Sequence, residues 1–203
     1  MKCEEAEGAL TYSEWLAFFG NSLLLPMNQT EQLGLQPAFW ERVSRSGDTE
    51  IALAAERWIQ TAAAILVSEG AEDAAVQRIS VEYTHLFIGP PRPAAPPWET
   101  YYRNGECKTG FGEPTFEVRR AMANCGLTCK GPQRQLEDHM GIELLLLSRL
   151  SCAGALDEAV VFAKEHPLAW IDGLIARVDA AEPQGYYGSL LRLAKAVMLD
   201  MIV

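Results

Sequence analysis

The sequence predicts an all-α fold: one helical bundle with a long proline-rich loop between its central helices. Two observations carry this. Apolar residues recur at i, i+3/i+4 and i+7 along most of the chain. No alternating apolar/polar pattern persists beyond a few residues, and there is no internal repeat or low-complexity tail. With 203 residues the chain is long enough for one domain spanning 1–203 with its own core. An apolar content of 49% excludes a disordered chain.

The elements follow in order. A first helix is expected from Tyr12 to Leu25, with Ser13 near its start and Pro26 ending it. A short helix follows Pro37 over residues 37–46. The next is the clearest: Ile51, Ala55, Trp58, Ile59, Ala62, Ile65 and Leu66 share one face, Asp48 is a plausible N-cap and Gly70 a stop. Ala71 to Phe87 reads as another helix, with Ala75, Ile79, Tyr83 and Leu86 or Phe87 on one side. After a loop over residues 88–112, helix resumes from Glu113 to Asn124, with Pro114 in the tolerant first turn. Gly126 to Gly131 is a break, and Pro132 to Ser151 is a strongly apolar helix expected near the centre of the bundle. Leu156 to Val178 is interrupted near Pro167, and Gly185 to Met201 closes the chain with a stripe of Leu190, Leu193, Ala194, Val197 and Met201.

The segment Tyr83–Tyr102, YTHLFIGPPRPAAPPWETYY, is the most informative stretch. Prolines at 90, 91, 93, 96 and 97 exclude helix and central strand, because each lacks a backbone donor and fixes its own φ. Trp98, Tyr101 and Tyr102 follow on this stiffened backbone. Aromatic side chains held this way lose little entropy on gripping a partner. Connections of this length are usually functional or disordered. Trp98 either folds back onto the protein or binds something. Tyr83, Leu86 and Phe87 also stand at ordinary core spacing.

The net charge of −10 and the lack of any Lys/Arg cluster argue against nucleic acid and against an anionic membrane surface, and favour a basic peptide. No apolar run approaches the roughly 20 residues needed to span a bilayer. The apolar stretch Ile142 to Leu147 is interrupted by Glu143. The N-terminus MKCEEAEGAL is acidic where a signal peptide is basic, so a cytoplasmic protein is expected. Five cysteines at irregular spacing (Cys3, Cys107, Cys125, Cys129 and Cys152) do not read as a disulfide framework. Cys125 and Cys129 lack the second pair that a zinc site needs, so neither metal nor cofactor is expected.

The other chemical cluster is Glu137-Asp138-His139 followed by Glu143. His139 and Glu143, four apart, would share a helix face, and Asp138 could fix the tautomer of His139. Three readings stay open: general acid/base chemistry or a metal-dependent hydrolase using Asp138, His139 and Glu143; an acidic first helical turn favourable to the dipole; or one wall of a binding pocket. His166 reads as a cap on the negative end of the preceding helix, Trp170 as core, and His85 as outward-facing. No P-loop, dinucleotide loop or nucleophile elbow is present, so the sequence offers no complete catalytic constellation.

Tyr83-x-x-Leu86-Phe87-x-Gly89, then Pro97-Trp98 with Tyr102, then Asp138-His139-x-x-x-Glu143-Leu144 resembles the TorD/DmsD-type redox enzyme maturation chaperones. The motifs span residues 83–144. The resemblance implies a non-catalytic, all-helical chaperone for molybdenum oxidoreductases. It would hold the leader of a partner catalytic subunit, often a twin-arginine leader, until the molybdopterin cofactor is inserted. The leader-binding positions would be Tyr83, Leu86, Phe87, Pro97, Trp98, Asp138 and His139. Read beside them, Tyr102 and Glu143 join the pocket, and Glu99, Glu137 and Asp138 are candidate acceptors for the arginines. Glu99-Thr100 replaces the small residues of many members, and Tyr83 stands where some have Trp, which bears on the leader accepted. A helical scaffold without a pocket is the remaining alternative.

Overall fold

A computed structural model describes residues 9–45, 49–103, 111–129 and 135–203 of the chain. Among these residues the regular structure is helical, with no strand beyond one isolated β-bridge. The helices are α1 (Tyr12–Leu24), α2 (Pro37–Ser44), α3 (Thr49–Glu69), α4 (Glu72–Tyr83), α5 (Thr100–Arg103), α6 (Glu113–Asn124), α7 (Met140–Cys152), α8 (Leu156–Glu165), α9 (Pro167–Ala181) and α10 (Tyr186–Met201). Two 3-10 turns, Met27–Gln29 and Leu33–Leu35, link α1 to α2. The buried apolar side chains form one cluster that draws on all the longer helices.

Local chemistry explains the element ends. Thr11 starts α1 through a capping box: its hydroxyl accepts from the Glu14 N–H (3.3 Å) and the Glu14 carboxylate accepts from the Thr11 N–H (2.9 Å). Gly70 ends α3 at φ 71°, a left-handed conformation that glycine adopts without strain. The expected N-cap of α3, Asp48, lies outside the described residues. Helix α4 does not run on uniformly to Phe87. It widens into a π-turn, Thr84–Ile88, closed by Gly89 N–H donating to Thr84 O (2.8 Å). The break at Pro167 divides α8 from α9 as expected, with proline at the tolerant N1 position. The N-terminus of α10 is capped from another helix: the buried Glu82 accepts from the N–H groups of Tyr186 (3.1 Å) and Tyr187 (2.9 Å).

Helix α3 is long and apolar enough to cross a bilayer by length and composition alone, a test that core helices also pass. Glu56 and Arg57 interrupt its apolar run and hide that in the sequence. Here its buried residues Ile51, Ala55, Trp58 and Ala62 face the bundle, where α3 packs along α10.

Helix α7 is the apolar helix expected at the centre, but it begins later than Pro132. Residues 130–134 lie outside the described set, residues 135–139 are not helical, and the first helical residue is Met140. Eight of its residues, Met140–Leu144, Leu146, Leu147 and Leu150, are buried. It packs along α1 at a crossing made by two glycines. A Cβ on Gly20 would lie 2.7 Å from Leu145 Cγ and 2.8 Å from Gly141 O; one on Gly141 would lie 2.7 Å from Leu24 Cγ and 2.8 Å from Gly20 O. Each glycine thus clears the backbone of the opposite helix. Gly20→Ala or Gly141→Ala forces α1 and α7 apart and is expected to cost about 1–3 kcal/mol, read as a lower urea midpoint at unchanged m-value. Gly126→Ala, where a Cβ meets nothing within 4 Å, should cost less despite its positive φ.

Candidate functional site

The proline loop folds back onto the bundle. Ala95 N–H donates to Leu86 O (2.8 Å) and Ala94 N–H to His85 O (3.2 Å), which pins the loop to the π-turn. Ala95, Pro96 and Pro97 are buried, and the Tyr102 hydroxyl donates to Pro96 O (2.8 Å). Tyr102 stacks on Trp170 with ring centroids 5.0 Å apart, and Gly173 leaves room for it. The loop then meets the turn before α7. Trp98 and His139 form an antiparallel bridge in which Glu99 N–H donates to Asp138 O and Met140 N–H to Pro97 O, both at 2.9 Å. Their rings lie edge to face, 5.8 Å apart. The two walls suggested by the sequence are therefore in contact.

Successive residues of this segment point to different partners. The Trp98 ring is half-buried and lies 6.1 Å from Tyr101. Thr100 donates to Asp138 Oδ2 through both its N–H (3.1 Å) and its hydroxyl (2.6 Å), and Thr115 of α6 donates to Asp138 Oδ1 (3.0 Å). Burial pushes the Asp138 carboxyl up, and these three bonds pull it back. His139 is the N-cap of α7: its Nδ1 accepts from Gly141 N–H (3.0 Å), so its ring proton belongs on Nε2. Burial holds its pKa down at about 3.

Glu99 turns the other way, into the bundle. It is fully buried; one oxygen accepts from Arg103 (2.7 Å) and the other meets Nδ1 of the buried His166 (2.9 Å). The fully buried Glu143 lies beside them, accepting from Trp170 Nε1 (3.1 Å) through Oε2, while its Oε1 has no hydrogen-bond partner. Burial, then the neighbouring Glu99 carboxylate, push Glu143 well above the usual carboxylate range. Ligand atoms of Glu99, Glu143 and His166 all lie within 4.8 Å of one another.

This arrangement revises several expectations. Asp138, His139 and Glu143 do not converge as a hydrolase site, because Asp138 is engaged by two threonines and His139 by Gly141. Glu143 groups with Glu99 and His166 instead. His166 does not cap α8 with its ring but pairs with Glu99, and its role and that of Trp170 were missed because their partners lie far away in sequence. The three proposed arginine acceptors all have internal donors: Glu99 as described, Asp138 from Thr100 and Thr115, and Glu137 from Arg119 in a bidentate pair (2.9 and 3.0 Å) that lowers its pKa. Of the other named residues, Tyr83, Leu86, Phe87 and Pro97 are buried, with the Tyr83 hydroxyl donating to Leu23 O (3.3 Å); Trp98 and Tyr102 are half-buried. His85 is exposed, as expected, and faces Glu182 at 2.8 Å.

An open cleft of about 790 Å³ lies between α6 and α8, beside α5. Its floor includes Phe162 and Val161, and its walls carry Glu117, Asp157, Glu158 and Glu165 with Arg103 and Arg120.

With the all-helical fold and this geometry in view, residues 46–176 match the nitrate reductase delta subunit family. The chain belongs to this family, that of the TorD/DmsD-type proteins. Among its relatives, a probable Tat proofreading chaperone DmsD from Haemophilus influenzae is 29% identical over 117 residues, covering 58% of this chain and 57% of the relative. The Tat proofreading chaperone DmsD of Salmonella typhi is 32% identical over 116 residues, and that of Salmonella paratyphi A 28%, each covering 57% of this chain and 56% of the relative. The match thus spans a little over half the length of these curated relatives. They are named as chaperones, not as enzymes.

The His139 cap gives a pH signature. In the unfolded chain its imidazole takes up a proton near pH 6.5, whereas in the fold it stays neutral down to about 3. The unfolded state therefore binds the extra proton first, and stability from this group is lost as pH falls through that window, on the order of 5 kcal/mol in full. In urea titrations the stability advantage of wild type over His139→Gln is expected to shrink steadily from pH 7 towards pH 4. A pH-independent difference would remove the buried neutral imidazole.

Proposed function

We propose that this chain is a cytoplasmic chaperone, a single helical domain, that binds the leader of a molybdopterin oxidoreductase catalytic subunit and holds it during cofactor insertion, before assembly or export. The observation that carries this reading is the joined edge, where half-buried Trp98 and Tyr101 stand on a loop fixed by the Trp98–His139 bridge. Family membership and relatives named Tat proofreading chaperones support it. A rigid, partly exposed aromatic pair grips an apolar peptide segment at low entropic cost. Tyr83, Leu86, Phe87, Pro97, Asp138, His139 and Glu143 act in this reading mainly by holding that edge in place, with Tyr102 at its border. Because Glu99, Glu137 and Asp138 are engaged internally, the basic stretch of the leader falls to the neighbouring cleft. There Asp157, Glu158 and Glu165 form no ion pair among the described residues, and the aliphatic stems of arginines can lie on Val161 and Phe162.

Fluorescence anisotropy with a labelled leader from an oxidoreductase encoded beside this chain tests the proposal. Trp98→Ala is expected to weaken binding about tenfold or more, the loss of one aromatic anchor. The Asp157→Lys/Glu158→Lys double variant should weaken it further and flatten its dependence on salt. Absence of saturable binding to any such leader would refute the chaperone reading. Binding that survives both changes would leave the role standing and move the site elsewhere.

A further inference from the structure

The buried cluster of Glu99, Glu143 and His166 contains a polar atom, Glu143 Oε1, that holding the aromatic edge leaves unused. We propose that Glu99, Glu143 and His166 form a site for one divalent transition-metal cation of the zinc type. Their ligand atoms lie within 4.8 Å of one another, and all three side chains are buried. Two carboxylates and an imidazole make the mixed oxygen/nitrogen set that such cations accept, with a fourth position for water.

The surroundings support the assignment separately from the cluster. Glu143 Oε1 is a buried oxygen with no hydrogen-bond partner. A buried acceptor left that way is costly, and a cation satisfies it. The opposite oxygen, Oε2, is held by Trp170 Nε1 at 3.1 Å. Glu99 repeats the pattern: Oε1 is held by Arg103 at 2.7 Å, which leaves Oε2 turned towards His166. Each carboxylate therefore has one oxygen fixed by an outer donor, the usual way in which metal ligands are oriented. Arg103, fixed in turn by Glu165 O (3.0 Å), balances one carboxylate, and a dication balances the second. The cleft between α6 and α8 reaches both Arg103 and His166, which gives an entry path. Binding through Nδ1 of His166 places the single hydrogen of the neutral ring on Nε2, and any carboxyl proton passes to water.

The test uses the full chain without a tag, stripped with a chelator and then titrated with Zn²⁺ by calorimetry and with Co²⁺ by visible absorption. The proposal expects one equivalent per chain, the visible absorption of a four-coordinate Co²⁺ site, and a higher unfolding temperature in the presence of Zn²⁺. Glu143→Gln keeps the shape of a protonated carboxyl and should keep the fold by circular dichroism while weakening uptake by more than about 100-fold. His166→Gln should do the same. A chain with all five cysteines changed to serine should bind as wild type does. No uptake by the wild-type chain, uptake unchanged in Glu143→Gln, or uptake lost only with the cysteines would each overturn the site and leave a proton shared between Glu99 and Glu143 as the occupant.

Discussion

The Asp138 carboxylate is the constraint on which the rest of this region depends. Its two oxygens collect three donors from two other segments, the N–H and hydroxyl of Thr100 and the hydroxyl of Thr115. Its own carbonyl accepts from Glu99 N–H, so its backbone is tied to the same loop. A carboxyl this buried is held against its desolvation only by such bonds, and removal of the side chain would orphan three donors at once. One residue thus fixes the proline loop, α5 and α6 relative to the entry of α7. His139, next in sequence, completes the joint by capping α7 and packing its ring against Trp98.

That joint explains why residues which look like a pocket in the sequence are mostly interior. Prolines at 96 and 97 and the aromatics around them read as a gripping surface because they are stiff and apolar. The same properties suit a loop that must be packed back onto a bundle without using backbone donors it does not have. Tyr83 and Phe87 meet Tyr187 at 5.7 and 5.2 Å, and Tyr102 meets Trp170, so most of the aromatic content serves the core. What stays partly open is the edge, Trp98 with Tyr101, and an edge held by buried neighbours is better placed for recognition than a free loop.

Local periodicity made most of the helices legible. The faces of α3 and α10, the break at Pro167 and the proline start of α6 all rest on interactions within a few residues. The start of α7 was not legible for the opposite reason. The backbone groups around Asp138 and His139 are engaged by Pro97 and Glu99, about forty residues earlier, and so are lost to a helix. The apolar pattern after residue 140 gives no sign of that pairing. The candidate site divides the same way. Asp138 and His139 stood out as neighbours in sequence, but the partners of Glu143 are Trp170 and the Glu99–His166 pair, and nothing in a single sequence links residues so far apart. His166 looked like a helix cap because it does end α8; its ring was free to reach Glu99 because Pro167 breaks the helix at that point.

The tripeptide Trp98-Glu99-Thr100 makes the regions interdependent. Trp98 lies against His139 at the open edge, Thr100 reaches down to Asp138, and Glu99 turns to His166 in the bundle. Three consecutive side chains with three separate anchorages cannot shift one at a time, because the backbone they share is already bonded to Asp138 and Met140. A peptide pressing on Trp98 therefore acts on the burial of Glu99, and whatever neutralises Glu99 and Glu143 acts on the position of Trp98. Buried charge of this kind is poor evidence for stability, since well-packed apolar residues of similar volume often do as well or better. Its place next to the half-buried aromatic edge in sequence is better explained by setting the orientation of that edge, which an apolar core of equal volume would leave less sharply defined.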